Sequence, residues 1–224
     1  MKKFVYNLIL PVAFISALLS SIVAVSLNRN FYDKQYTQQH TAEFIGISHD
    51  DLMLVTDQLL DYMSKKAENL DMQYDVKGKK TEIFDDNEKL HMVDVQKLFM
   101  NVIYINIFLI SFVVISSICL IKIDGFKVFR NTLKKKYKYS IIGLAVVCGG
   151  LIFLFTTNFN LFWTYFHRVL FTNDLWLLDP AVSIMINMFP LYFFINMCFT
   201  ILCTFVIICI VIYVLLIDKI SFKK

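Results

Sequence analysis

The sequence predicts an all-α membrane protein with four transmembrane helices, a small extracellular cap and both termini in the cytoplasm. Three observations lead there. The chain is 58% hydrophobic with a mean hydropathy of +0.61, well above what a soluble domain carries. Four apolar segments stand out, at 4–27, 99–121, 140–157 and 191–217. Each is about 18 residues or longer, enough for a helix to cross a hydrocarbon core of ~30 Å. None alternates with the period of two that a membrane β-barrel needs. Basic residues then set the direction. Lys2 and Lys3 precede the first segment, Lys122, Lys127, Arg130, Lys134, Lys135, Lys136 and Lys138 follow the second, and Lys219, Lys223 and Lys224 follow the fourth. Such residues mark the cytoplasmic side.

Taken in order, 4–27 is the first span. Its apolar run outlasts the ~7–15 residues of a signal-peptide core, so Ala24-Val25-Ser26 reads as part of a retained helix rather than a cleavage site. Segment 28–98 faces outward as the cap and carries more Asp and Glu than Lys and Arg. Within it, Ser48 is placed to N-cap a helix with Asp51 three residues on. Leu52, Val55, Leu59 and Met63 follow at helical spacing. Lys77-Gly78-Lys79-Lys80 reads as a turn. Asp85-Asp86-Asn87 opens a second helix with Glu88 in its first turn. No breaker intervenes before Asp124-Gly125, so this helix should run straight into the second span, 99–121.

The loop 122–139 is basic and cytoplasmic. Its lysines read as orientation charge beside a membrane rather than a nucleic-acid patch, so no nucleic-acid partner is expected. The third span, 140–157, leads to an outward segment, 158–190. There Phe159, Phe162, Trp163, Phe166 and Leu170 recur at the spacing of a short interfacial helix. Asp179-Pro180 reads as N-cap and first residue of another. The fourth span is 191–217, and 218–224 is a cytoplasmic tail. Cys119, Cys148, Cys198, Cys203 and Cys209 all fall in or beside spans, so the outward segments hold neither a disulfide framework nor a cysteine zinc site.

Four histidines are available for chemistry. His40 and His49 lie in the soluble part of the cap without aromatic company and read as solvated or structural. His91 lies eight residues before the second apolar run, or roughly 12 Å along a helix axis, and shares its side of the helix with Asp94 and Val95. His167 sits among Phe162, Trp163, Phe166, Phe171 and Trp176, with Arg168 beside it and Asn173, Asp174 and Asp179 following. Two imidazoles at matching depth, each with carboxylates nearby, suit acid/base work near neutral pH. There is no HExxH, no GxSxG and no Gly-rich phosphate loop. A metal held by His91, Asp94, His167 and Asp174 is an alternative, but that spacing is unspecific. The reading calls for no metal and no cofactor.

The motif His91-Met92-x-Asp94-Val95 has a long companion later in the chain. It reads Phe166-His167-x-x-x-Phe171-x-Asn173-Asp174-x-Trp176-x-Leu178-Asp179-Pro180 and continues to Met188-Phe189-Pro190-x-x-Phe193-Phe194. Together they resemble the lipoprotein intramolecular transacylase (Lit) family of Gram-positive bacteria. Phe31-Tyr32 and Gly46-Ile47-Ser48-x-x-Asp51-Leu52 add to a likeness that covers essentially the whole chain. The resemblance implies a multi-pass protein of the bacterial cell membrane with four transmembrane helices, an extracellular cap and an active site at the extracellular face. It implies an acyltransferase acting on diacylglyceryl-modified lipoproteins within membrane lipid. The sn-2 acyl chain moves to the α-amino group of the same cysteine, leaving a lyso-form lipoprotein. The catalytic residues it implies are His91 and His167. One departure stands out: where the family pattern carries Thr-Asp after Asp-Pro, this chain has Val182-Ser183, and a carboxylate is missing.

On this reading Phe162, Trp163, Phe166, Arg168, Phe171 and Trp176 contact the substrate, the aromatics as walls that fold it. His167 is the base, and His91 donates to the oxyanion or leaving alkoxide. Asp94 and Asp174, with Asp179 and Asn173 in support, hold the tautomers. Two other readings compete. One is a non-enzymatic accessory protein, which needs no pocket joining the histidines. The other is an intermolecular N-acyltransferase drawing its chain from a phospholipid.

Overall fold

The computed structural model describes residues 2–217. The expected tail 218–224, with Lys219, Lys223 and Lys224, lies outside the described residues. The chain runs α1 (Lys2–Ser26), α2 (Arg29–Gln39), α3 (Thr41–Ile45), α4 (His49–Met63), β1 (Gln73–Val76), β2 (Lys79–Glu82), α5 (Asp86–Asp124), α6 (Phe126–Thr157), α7 (Phe159–Leu170), α8 (Ile184–Met188) and α9 (Leu191–Ile217).

Helix starts follow their capping chemistry. Ser48 Oγ accepts from the Asp51 amide at 3.0 Å and opens α4, whose Leu52, Val55 and Leu59 are buried. Asp85 and Glu88 form a reciprocal capping box at the start of α5. Glu88 N donates to Asp85 Oδ1 at 2.8 Å, and Asp85 N donates to Glu88 Oε2 at 2.7 Å, which satisfies two amides a bare helix end leaves open. From there α5 runs unbroken for 39 residues to Asp124, and His91 precedes its apolar stretch 99–121.

The architecture departs from all-α in one place. The expected turn at Lys77-Gly78 joins two four-residue antiparallel strands, with Gln73 opposite Glu82 and Val76 opposite Lys79. Lys77 (φ 55) and Gly78 (φ 79) both adopt left-handed backbone, as a two-residue hairpin turn with the native strand twist requires. The first strand alternates over only four residues, with Tyr74 and Val76 half-buried, and the second is almost wholly polar, which is why the pattern reads only as a turn. The hairpin tip is fastened by Lys77 N donating to Gly46 O at 2.8 Å. Gly46 itself needs to be glycine twice over: its φ is 85, and a Cβ there would strike the Lys77 side chain. The short helix expected from Asp179-Pro180 begins later. Asp179 closes a turn by accepting from the Val182 and Ser183 amides, and Ser183 is the N-cap of α8.

The chain divides into two compact units. One gathers residues up to Ile22, Ile103–Thr157 and those from Phe199 on. Its core includes Tyr6, Phe14, Leu120, Phe129, Leu133, Tyr137 and Phe205. Asn106 is buried there, accepting from Ser16 Oγ at 2.7 Å and donating to Ser20 Oγ at 2.9 Å. This is the helix-joining role expected of a span asparagine. Three described helices, α1, α5 and α9, are long and apolar enough to cross a membrane. Much of α5 shows bare isoleucine, valine and phenylalanine, a surface suited to lipid rather than water. Segment 140–157 is the C-terminal part of α6, where the side chains of 147, 151, 154 and 156 lie outside the described residues.

The other unit comprises Val23–Val102 and Asn158–Cys198. An aromatic cluster of Phe31, Tyr32, Tyr36, Phe189 and Phe193 packs edge-on and stacked at centroid distances of 5.0 to 6.3 Å. Both histidines of interest belong to this unit.

Candidate active site

The aromatic run that carries His167 folds as α7 because Asn158 caps it, accepting from the Leu161 amide at 3.0 Å, and because Phe159, Trp163 and His167 repeat every fourth residue. That stripe is the inward face: Phe159 and His167 are buried. The helix ends as the Phe171 amide bonds the His167 carbonyl at 2.8 Å, which brings the Phe171 ring back over the stripe.

His167 is enclosed by rings. Trp176 stacks on it at 4.8 Å and 25°, Trp163 meets it edge-on at 4.6 Å, and Phe166 and Phe171 lie at 5.3 and 5.7 Å. Its Nδ1–H donates to the Trp163 carbonyl at 2.7 Å. Because a carbonyl can only accept, the neutral ring carries its proton on Nδ1 and leaves Nε2 as the free base.

His91 comes from α5, 76 positions earlier, and its ring lies 6.2 Å from that of His167. Phe171 touches both, standing edge-on to His91 at 5.3 Å. His91 is 8% exposed, and its buried Nδ1 has no hydrogen-bond partner among the described residues. Burial pushes the His91 pKa down to about 4, with His167 adding to the fall and Asp94 opposing it. Burial also lowers His167, against the Trp163 carbonyl, which raises it. Both imidazoles are therefore neutral at pH 7.

A cavity of about 220 Å³ opens onto both rings. Of the expected walls, Trp163, Phe166, Phe171 and Trp176 line it. Phe162 does not line it; it packs on Phe159 and Phe166. Arg168 is exposed and also lies off the cavity. The rest of the lining includes Leu59 and Met63 of α4, Met92 and Val95 beside His91, Met185 of α8, and Phe193, Phe194 and Met197 of α9, none of them among the expected walls. The Leu59 and Met63 stripe was legible as apolar, but its destination was not.

The carboxylates take other places. Asp94 Oδ2 accepts from Asn173 Nδ2 at 2.9 Å, so it secures segment 171–183 rather than bonding a histidine. Asn173 in turn accepts from the Trp176 indole through its carbonyl at 3.0 Å and from the Leu175 amide through Oδ1. Asp174 is exposed in a second groove, lined by Asp85, Asn87 and Asp179 together with Leu175, Leu177 and Val182. Asp179 Oδ1 accepts from the Ala181 amide at 2.9 Å. Among the described residues no group of three His, Cys, Asp or Glu is arranged to hold a metal ion. Glu88, legible in the sequence only as a first-turn residue of its helix, is buried at 1% exposure one turn before His91.

The sequence matches the model of the lipoprotein intramolecular transacylase Lit family over residues 7–194. This chain belongs to the Lit family. Its fold is that of the membrane-integral lipoprotein intramolecular transacylase Lit from Bacillus cereus, with a TM-score of 0.78 at 22% identity over 98% of this chain and 97% of that one. Two variants of the Bacillus cereus Lit protein, each with one histidine replaced, by alanine or by arginine, match with TM-scores of 0.73 at 23% and 22% identity. They cover 98% of this chain and 94% and 93% of their own. Comparison with curated proteins gives no match.

Proposed function

We propose that this chain moves the sn-2 acyl chain of a diacylglyceryl-cysteine lipoprotein onto the α-amino group of the same cysteine, using His91 and His167 as a pair. Family membership supports the reaction class. The observation that carries the assignment is the 6.2 Å spacing of two buried imidazoles on one aromatic cavity. An accessory protein has no need of that arrangement.

The substrate brings both nucleophile and ester, so no covalent enzyme intermediate is required. Confinement between Trp163, Phe166, Phe171 and Trp176 restricts the glyceryl-cysteine to conformers in which the amine meets the sn-2 carbonyl, which lowers the entropic part of the barrier. The amine attacks as the free base, its ammonium form having a pKa of about 8, and the nitrogen must shed one further proton as the C–N bond forms. His167 Nε2 takes it, the Trp163 carbonyl stabilising the imidazolium through Nδ1–H. His91, neutral at working pH, donates an N–H hydrogen bond to the oxyanion rather than acting as an imidazolium. As the tetrahedral intermediate collapses, the C–O bond to the sn-2 oxygen breaks and His167 returns its proton to that oxygen. One amide forms, one ester is lost, and no proton is left over.

The same reading assigns four spans at 4–27, 99–121, 140–157 and 191–217, with 28–98 and 158–190 at the outer membrane face and both termini in the cytoplasm. The basic loop 122–139 supports that direction. The test is the mass of a lipoprotein N-terminal peptide, with chain position resolved, from cells with and without this protein. An N-acyl lyso form that appears only with the protein is the expected result. With differently labelled acyl chains on separate molecules, both labels staying together means intramolecular transfer. Labels that scramble onto phospholipid-derived chains would instead make this a phospholipid-dependent enzyme.

A further inference from the structure

We propose that Glu88 is a positioning residue of the two-histidine site, the anchor that fastens segment 171–183 to α5. The proposal rests on the transacylase reading for its catalytic consequence, though the anchor itself does not.

Segment 171–183 carries Phe171 and Trp176, the rings that touch His91 and His167. It has little regular structure of its own, being a succession of bends and turns, so ties to neighbouring elements must set its position. Two such ties run to α5. At one end Asn173 donates to Asp94, three residues after His91. At the other end lies Glu88, three residues before His91. Its Oε1 accepts from Ser183 Oγ at 2.5 Å and from the Met185 amide at 3.2 Å, while Oε2 accepts from the Asp85 amide at 2.7 Å. Residues three apart share a helix side, so Glu88, His91 and Asp94 form one row. The segment is clipped to that row on both sides of the histidine.

The chemistry of the Glu88 tie suits an anchor. A carboxylate at 1% exposure is costly unless its oxygens are bonded, and here three donors from two chain segments meet it. Burial raises its pKa while the Ser183, Asp85 and Met185 bonds oppose that rise. Ser183 completes the junction, for its Oγ also accepts from the Ile186 amide at 3.1 Å and starts α8, which contributes Met185 to the cavity wall. One carboxylate thus fixes the start of the His91 helix, the end of the segment bearing Trp176, and α8.

The test uses the full-length protein in detergent micelles and two readouts. The first is acrylamide quenching of Trp176, read in a Trp163→Phe background because the chain has only these two tryptophans. The second is kcat for lyso-form product. Glu88→Ala should raise the quenching constant about twofold or more, as expected of a loosened segment, and lower kcat about 100-fold, the scale of a ~1 Å misplacement. Ser183→Ala, which leaves Glu88 and the α5 cap in place, should move both readouts in the same direction by less, with kcat down about tenfold. Thr56→Ala is the control. It removes a buried hydroxyl bonded to Tyr36, and should lower Tm without changing quenching or kcat. If Glu88→Ala does not fold, Ser183→Ala decides. Wild-type quenching and kcat in the folded variants overturn the proposal, as does a quenching change of equal size in Thr56→Ala. A wild-type protein that makes no lyso-form product removes the transacylase reading, and the quenching data still decide the anchor.

Discussion

His167 sits in an aromatic helix that organises it from within, whereas His91 sits on a long helix and is organised from outside. Around His167, Trp163, Phe166 and Phe171 come from within four residues on either side, and the proton position is set by a carbonyl of the same helix. Around His91, the carboxylates one turn away on its own helix, Glu88 and Asp94, both bond residues some 80 to 100 positions away. Its ring nitrogen Nδ1 is left without a partner among the described residues. The contrast separates two jobs. A base needs a fixed tautomer and a free nitrogen, which a local hydrogen bond supplies cheaply. A donor held for an oxyanion needs placement and a dry setting, which only tertiary ties can give.

The largest test of this contrast is to remove each ring in turn. His167→Ala should lower kcat by about 10³- to 10⁴-fold, the upper range for loss of a general base. His91→Ala should cost about 10²- to 10³-fold, the range for an oxyanion donor. Both proteins should remain folded, with product measured by mass spectrometry from diacylated lipopeptide in micelles. A larger loss at His91 than at His167 would reverse the assigned roles. Wild-type activity in either variant would remove that histidine from the mechanism.

The pH dependence should separate the rings from the substrate. Both histidines have pKa values lowered by burial, His91 to about 4, so the enzyme stays in its working form as pH falls below the ordinary histidine value of about 6.5. The acid limb of kcat/KM assigned to the free enzyme should therefore lie below 6.5, while the free-amine requirement of the substrate makes activity climb toward pH ~8. Stability follows the same sign. The unfolded chain binds protons at these histidines below about 6.5, and the folded chain does not until lower pH. Their contribution is thus complete above 6.5 and is lost as pH falls toward about 4. Thermal melts at pH 7 and pH 5 should show a lower Tm at pH 5, and the difference should shrink in a His91→Gln variant.

Much of this was legible in the sequence because it is local. The Ser48 cap, the α5 start at Asp85 to Glu88 and the long continuation to Asp124 follow from capping residues and the absence of breakers. The helix around His167 follows from the spacing of Phe159, Phe162, Trp163, Phe166 and Leu170, although the inward face runs through Phe159, Trp163 and His167 instead, and the pairing of His91 with His167 followed from matched depth. The hairpin was hidden because its strands, Gln73–Val76 and Lys79–Glu82, are four residues each and only half-bury Tyr74, Val76 and Thr81, too short an alternation to stand out. The start of α8 was hidden because Asp179 and Ser183 are both capable caps, and only packing against Glu88 selects the latter. The destinations of carboxylates were hidden for the same reason: Asp94 has the spacing to serve His91, yet its partner is Asn173, and nothing in one sequence distinguishes the two.

That last choice gives the smallest and most discriminating effect. A carboxylate that holds a catalytic histidine in its working tautomer is sensitive to replacement by its own amide, with losses of ~10⁴-fold in serine proteases. Asp94 instead serves as an acceptor for Asn173, and an asparagine oxygen accepts equally well. Asp94→Asn should therefore stay within about twofold of wild type in kcat, while Asp94→Ala, which unfastens segment 171–183 at one end, should cost about tenfold. The amide variant also removes the charge that raises the His91 pKa. The acid limb should accordingly move further down with Asp94→Asn, not up. A loss of 100-fold or more in Asp94→Asn would mean that the carboxylate acts on His91 directly, and that His91, like His167, has a fixed proton.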